Sequence, residues 1–263
     1  DFLSAETVRL EGRRARHVRE VLRAEPGDRV VVGAVNGAVG EGTVLPAGPE
    51  EVRLSVRLGA EPPPPPGIDL LLAMPRPKVL RRVLQSAASL GAKRVVLVNA
   101  SRVERSYFDT PFLEPAEVER NLVLGLEQAR DTVLPEVLVR RRFRPFVEDE
   151  LEGLWPLAKR ARLLAHPDPT ADAPPDPCGE PQAPAGLAIG PEGGWVPFEL
   201  ELLAAHGFRR FDLGPRILRV ETAVPFAFGR IRPAAGLPPA GPARGGGAPT
   251  GSESAAPVPR LRP

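Results

Sequence analysis

Short, mainly apolar runs fall at 68–74, 94–99, 134–139, 161–166, 187–189 and 211–213, each reading as a buried strand or the end of one. The segments between them carry a helical period instead. Residues 78–90 put Val79, Leu80, Val83, Leu84, Ala87 and Leu90 on one side and stop at Gly91. Helices follow at 117–130 and 148–159. Another follows Trp195, with Leu200, Leu203 and Ala204 inward and Gly207 as its stop. Continuous apolar strands alternating with helices predict an α/β fold with a parallel sheet covered on both faces.

The first 61 residues have a different rhythm. Ala15, Val18, Val21 and Leu22 sit at helical spacing within 12–23, and Pro26-Gly27-Asp28 reads as a turn. Strands at 29–35 and 38–45 flank Asn36-Gly37, a hairpin signal, and 51–58 alternates as a further strand. Five consecutive prolines, Pro62 to Pro66, can join neither a helix nor a central strand. They divide a β-rich unit, 1–61, from the α/β unit, 68–231, with 62–67 as linker. Within the second unit 166–185 is a proline-rich loop, and 224–231 is a last short apolar stretch. Residues 232–263 hold Pro, Gly, Ala, Ser and Arg with almost no large apolar side chain, and read as a disordered tail.

Composition narrows the class. At 263 residues with 42% hydrophobic content the chain can build a real core. No apolar run reaches the roughly 18 residues of a membrane span, and no signal peptide is evident, so a cytoplasmic protein is expected. The single cysteine, Cys178, excludes an internal disulfide and a cysteine metal cluster. Net charge is only +2, but of the 35 basic residues only Lys78, Lys93 and Lys159 are lysine. Arginine suits phosphate through its planar fork. Coding bias in a GC-rich genome would give the same arginine, along with the 34 prolines and 26 glycines.

Two blocks break the strand–helix rhythm. Leu187-Ala-Ile189 runs into Gly190-Pro191-Glu192-Gly193-Gly194. Phe211-Asp-Leu213 runs into Gly214-Pro215, then Arg216-Ile217-Leu218-Arg219-Val220-Glu221-Thr222-Ala223. Glycines without Cβ let backbone approach a ligand closely, and strand-to-loop breaks are where α/β proteins build sites. No G-x-G-x-x-G follows a strand, so a Rossmann-type site is not indicated, and no metal-ligand spacing occurs. The pair of blocks resembles the G-P-E-G-G and L-G-x-R-I-L-R-x-E-T-A motifs of the RsmE family. These are the 16S rRNA (uracil-N3)-methyltransferases of the SPOUT superfamily.

The resemblance implies a trefoil-knotted α/β domain holding S-adenosylmethionine, preceded by a small PUA-like β-barrel that binds RNA, and a homodimer. His17-Val-Arg-Glu-Val-Leu-Arg23 matches the family's H-x-x-x-V-L-R, and Pro26-Gly27-Asp28 its turn. The cofactor positions it implies are Leu164, His166, Ile189, Gly190, Pro191, Glu192, Gly193, Gly194, Leu213, Gly214, Ile217, Leu218, Arg219, Thr222 and Ala223. Arg219, Glu221 and Glu192 are the candidate catalytic residues, although Arg219 and Glu221 could simply neutralise each other. For RNA the candidates are Arg13, Arg14, Arg16, Arg19 and Arg23, with Arg16, Arg19 and Arg23 on one helix face. Arg76, Lys78, Arg102, Arg105 and Arg216 join them. No metal is expected. The chain departs from the family's E-Q-S-G-R, with Glu127-Gln128-Ala129-Arg130-Asp131, and from its K-A-T-E-L-G, with Gln85-Ser-Ala-Ala-Ser-Leu-Gly91. Two alternatives stay open: a SPOUT enzyme acting on another RNA or base, and a silent RNA-binding assembly factor.

Overall fold

The computed structural model describes residues 2–4, 6–48, 50–167 and 185–231. The expectations for Cys178, for most of the 166–185 loop and for 232–263 lie outside these residues.

The first unit is one antiparallel sheet. Its strands are β1 (Phe2–Ser4), β2 (Thr7–Leu10), β3 (Arg29–Gly33), β4 (Val39–Leu45) and β5 (Val52–Ala60), in spatial order β1-β2-β5-β4-β3. It fits the PUA-like expectation. Alternation along β5 buries Val52, Leu54 and Val56 on one face, where Val8, Val44, Ala15 and Val18 join them. Residues 2–10 were not legible as strands, being two very short segments.

The helix expected over 12–23 changes character partway. It runs as α1 (Gly12–Arg16), then as a π-helical turn over His17–Val21. The wider turn rotates later side chains away from the α-helical face. Ala15 and Val18 are buried as expected, but Val21 and Leu22 are 65% and 50% exposed. Arg23 lies beyond the turn at φ +51°, so Arg16, Arg19 and Arg23 do not form one helical stripe.

The second unit is a six-stranded sheet. β6 (Ile68–Ala73), β7 (Arg94–Val98), β8 (Glu136–Arg140), β9 (Ala161–Ala165), β10 (Ala185–Ile189) and β11 (Phe208–Phe211) stand in the order β11-β9-β10-β6-β7-β8. Every pairing is parallel. Strand β6 is buried at every position. Its one polar residue, Asp69, accepts hydrogen bonds from Trp155 Nε1 at 2.8 Å and Arg160 Nη1 at 2.7 Å.

Helices α2 (Pro77–Ser89), α3 (Pro115–Ala129) and α6 (Pro197–Ala205) follow the apolar periods closely. Three corrections apply elsewhere. The helix expected at 148–159 lies earlier, as α4 (Phe143–Pro145), a π-turn (Phe146–Glu150) and α5 (Leu151–Leu154). β11 ends at Phe211, so Asp212 and Leu213 already belong to the loop. Residues 220–231, expected as loop and short apolar stretch, form one helix, α7 (Val220–Ile231), which packs on α2. Val220, Ala223, Val224, Ala227, Phe228 and Ile231 are its buried stripe. Pro225 inside it hides the helix from a sequence reading.

The two units are fastened together. Asn36 N–H donates to the Thr132 carbonyl at 2.7 Å, and Leu134 N–H to Asn36 Oδ1 at 2.9 Å. Thr132 Oγ1 donates to the Gly37 carbonyl at 2.5 Å. The segment receiving the hairpin is where the chain departs from E-Q-S-G-R. Arg130 ends α3 at φ +55°, the conformation that glycine normally takes. Asp131, 8% exposed, accepts from Lys93 Nζ at 2.5 Å and from the backbone N–H groups of Thr132 and Val133 at 2.7 and 2.9 Å. In this chain the position is an anchor for the loop that grips the first unit.

Candidate active site

Strands β11, β9 and β10 lie side by side and parallel, so their carboxyl ends share one edge. There the chain leaves the sheet in loops, and the loops enclose a cavity of ≈ 260 Å³. It is walled by the ends of β9 (Ala165, His166, Pro167), the Gly190–Trp195 turn, and Asp212, Leu213, Arg216, Ile217 and Leu218 after β11. Val220 and Ala223 of α7 close it, and Arg102, from the loop after β7, reaches its edge.

Most of the expected cofactor positions meet here: His166, Ile189, Gly190, Pro191, Glu192, Gly193, Gly194, Leu213, Ile217, Leu218 and Ala223. Leu164, Gly214, Arg219 and Thr222 do not line the cavity. Leu164 is fully buried within β9. Gly214 turns the chain at φ +108°, its N–H held by Asp212 Oδ1 at 3.0 Å. The Arg219 carbonyl accepts from the N–H groups of Thr222 and Ala223 at 2.9 and 2.8 Å, starting α7. Sequence reasoning missed Trp195, Asp212, Ala165, Pro167 and Val220. Each sits within two residues of an expected position, so adjacency was the available signal.

The loops are braced against one another by charged groups. Glu192 Oε1 accepts the Arg76 N–H at 3.2 Å, tying the turn after β10 to the end of β6. Arg102 Nη1 donates to the Gly193 carbonyl. Glu199, 1% exposed, accepts the Ser101 N–H at 2.6 Å on Oε1 and the Val196 N–H at 2.9 Å on Oε2. Glu221 lies 3.8 Å from Arg82 on α2, and no ion pair joins it to Arg219 among the described residues, against the alternative that the two neutralise each other. The Arg219 side chain is exposed and has no partner among the described residues. Tyr107, at the same edge, donates to Glu104 Oε1 at 3.0 Å; burial and that carboxylate raise its phenol above the usual value.

The basic candidates form two groups. Arg76 and Lys78 follow β6, Arg102 and Arg105 follow β7, and Arg216 follows β11, all at the carboxyl edge of the sheet, and Arg102 and Arg216 line the cavity. Arg13, Arg14, Arg16, Arg19 and Arg23 belong to the first unit. Arg13 is committed to Glu127 of α3 through two bonds of 2.8 and 2.7 Å, so it serves the junction between the units. Arg16, Arg19 and Arg23 are exposed.

A family model described as an RNA methyltransferase domain matches residues 62–232. The chain is 32% identical over 212 residues to the ribosomal RNA small subunit methyltransferase E of Treponema pallidum, covering 79% of this chain and 77% of that one. To the Mycobacterium bovis protein of the same name it is 27% identical over 235 residues, 84% of each chain. Its fold is that of the Neisseria gonorrhoeae ribosomal RNA small subunit methyltransferase E, crystallised with S-adenosyl methionine. There the TM-score is 0.65 at 22% identity, over 87% of this chain and 92% of that one.

Proposed function

This chain belongs to the ribosomal RNA small subunit methyltransferase E family, and from that membership we propose that it methylates N3 of a uridine in 16S ribosomal RNA, using S-adenosylmethionine. The observation that carries the reading is the cavity where β9, β10 and β11 end, walled mainly by residues of two glycine-containing loops. The fit is specific. A Cβ on Gly190 would stand 3.0 Å from Trp195 Nε1, so any side chain there would crowd the indole. That nitrogen is itself a buried donor with no partner among the described residues. Loops 190–195 and 212–218, with His166 and Ala223, would hold the cofactor. When bound, S-adenosylmethionine supplies an electrophilic methyl group on a sulfonium.

The chain's own residues then have to handle a proton. Uracil N3 is an imide nitrogen, a poor nucleophile until its proton leaves, and the resulting charge spreads onto the flanking carbonyl oxygens. A fixed cation at those oxygens stabilises the anion. Arg216 and Arg219 are the cations of the loop after β11. Arg219 is exposed and uncommitted beside the cavity, free to reach a carbonyl or phosphate of bound RNA. Glu192 and Glu221 are each engaged elsewhere, by the Arg76 N–H and by Arg82. Arg219 is therefore the first choice. Its replacement by Ala should lower single-turnover methyl transfer by about 100-fold, the scale of one preorganised donor, with cofactor affinity little changed. The wild-type rate should rise with pH through the neutral range, since the anion is the reacting form. A wild-type rate in the variant would move the role to Arg216.

The same reading includes a trefoil-knotted path through the second unit, a homodimer and a cytoplasmic location. No helix among the described residues is long and apolar enough to cross a membrane. Modification mapping of small subunits incubated with protein and labelled cofactor tests the substrate. Methyl at another base, or in another RNA, would replace the uridine assignment and leave the fold assignment standing.

A further inference from the structure

The cavity wall contains a polar group that the protein itself leaves unused. Trp195 is 3% exposed, and its indole Nε1 is enclosed without a hydrogen-bond partner among the described residues. An indole nitrogen can only donate, and a buried donor without an acceptor is costly. The other tryptophan, Trp155, satisfies its N–H on Asp69 at 2.8 Å.

Trp195 is also held in place. Its ring packs on Phe143 with centroids 5.5 Å apart and planes tilted by 39°. The nitrogen-bearing edge faces Gly190, where an added Cβ would stand 3.0 Å from Nε1 and 3.1 Å from Cδ1. Both residues line the cavity. Any larger residue at 190 would therefore press on the N–H edge, and glycine leaves that edge uncrowded. An apolar side chain at 195 could close the same wall without a donor, so packing alone does not explain the indole nitrogen.

We propose that Trp195 is a cofactor-recognition residue whose Nε1–H donates a hydrogen bond to an acceptor of the bound nucleoside cofactor. The acceptor is a ring nitrogen, a hydroxyl oxygen or a carboxylate oxygen, all of which such a ligand carries. The proposal rests on reading this cavity as the S-adenosylmethionine site.

The test uses the full chain and S-adenosylhomocysteine, which binds without methyl transfer. In nitrogen-15 spectra the two indole N–H signals are assigned with W195F. Adding ligand to wild type should shift the Trp195 signal strongly and slow its exchange with water, while the Trp155 signal stays in place. Calorimetry should show W195F binding about tenfold more weakly, the scale of one hydrogen bond. The unliganded thermal midpoint separates that loss from unfolding. G190A keeps the indole but crowds its edge, so it too should bind more weakly. Wild type that binds the ligand with its Trp195 signal unmoved, and W195F that binds equally well, would overturn the inference alone. Wild type that binds no ligand would remove it together with the reading of the cavity.

Discussion

At the scale of single residues, the glycine motif was legible in kind but not in detail. A run of Gly190, Gly193 and Gly194 announces a loop that backbone must approach, and the structure puts all three at the cavity. The sequence could not say which glycine needs its special freedom. Gly194 is the one at φ +72°, whereas Gly193 has no positive φ and an added Cβ there would meet Arg102 Cδ at 3.0 Å. Arg102 is a flexible side chain that can withdraw. Gly193→Ala should then cost cofactor affinity little. Gly194→Ala forces an L-residue into the left-handed region, at about 1–2 kcal/mol, or reshapes the turn. It should weaken binding by about tenfold or more. Calorimetry on both variants checks the ranking, and equal losses would mean that the turn responds to any side chain. Arg130 carries the converse lesson. It adopts φ +55° although it is not glycine, and no sequence rule would have placed it there.

Elements were read well where their periods were pure. α2 and β6 match their expected spans within a residue or two, because one is strictly amphipathic and the other apolar but for Asp69. α7 and the π-turn at His17–Val21 were missed for physical reasons. Pro225 and a motif-rich start disguise α7, and the widening from i→i+4 to i→i+5 hydrogen bonds at the π-turn leaves no mark in the residue pattern. Glu199 was also opaque. A glutamate in the first turn of α6 reads as an ordinary capping residue, and only the fold brings the loop after β7 onto it. Because it is 1% exposed and accepts two backbone N–H groups, it links Ser101 to Val196 and so fixes the cavity loop against its neighbour. Glu199→Ala would strand two donors. It should destabilise the fold by about 3 kcal/mol, read from chemical unfolding, and weaken cofactor binding as the loops separate. Loss of stability with unchanged affinity would restrict Glu199 to helix capping.

For the whole molecule, the parallel sheet and the antiparallel first unit were legible, because period and strand spacing report topology class directly. The way the two units meet was not. Asn36-Gly37 reads as a hairpin tip, yet Asn36 also grips Thr132 and Leu134, nearly a hundred residues away. Arg13 reads as an RNA contact and is spent on Glu127. This junction holds two groups of cations in a fixed relation: Arg16, Arg19 and Arg23 on the first unit, and Arg76, Arg102, Arg105 and Arg216 at the carboxyl edge of the parallel sheet. A long polyanion could engage both, the first group adding affinity and the second lying at the chemistry. Replacing Arg16, Arg19 and Arg23 with Gln should then weaken RNA binding and flatten its salt dependence, by up to about one unit of log–log slope for each arginine–phosphate pair removed. Binding of S-adenosylhomocysteine should not change, because none of the three lines the cavity. The π-turn sharpens the test. With Arg23 off the helix, the three cations do not share one helical face, so single replacements should be unequal rather than interchangeable. Titrations of wild type, each single variant and the triple variant across salt concentration measure this. A triple variant with the wild-type slope would leave the first unit without a role in binding phosphate and assign the electrostatic grip to the cavity edge.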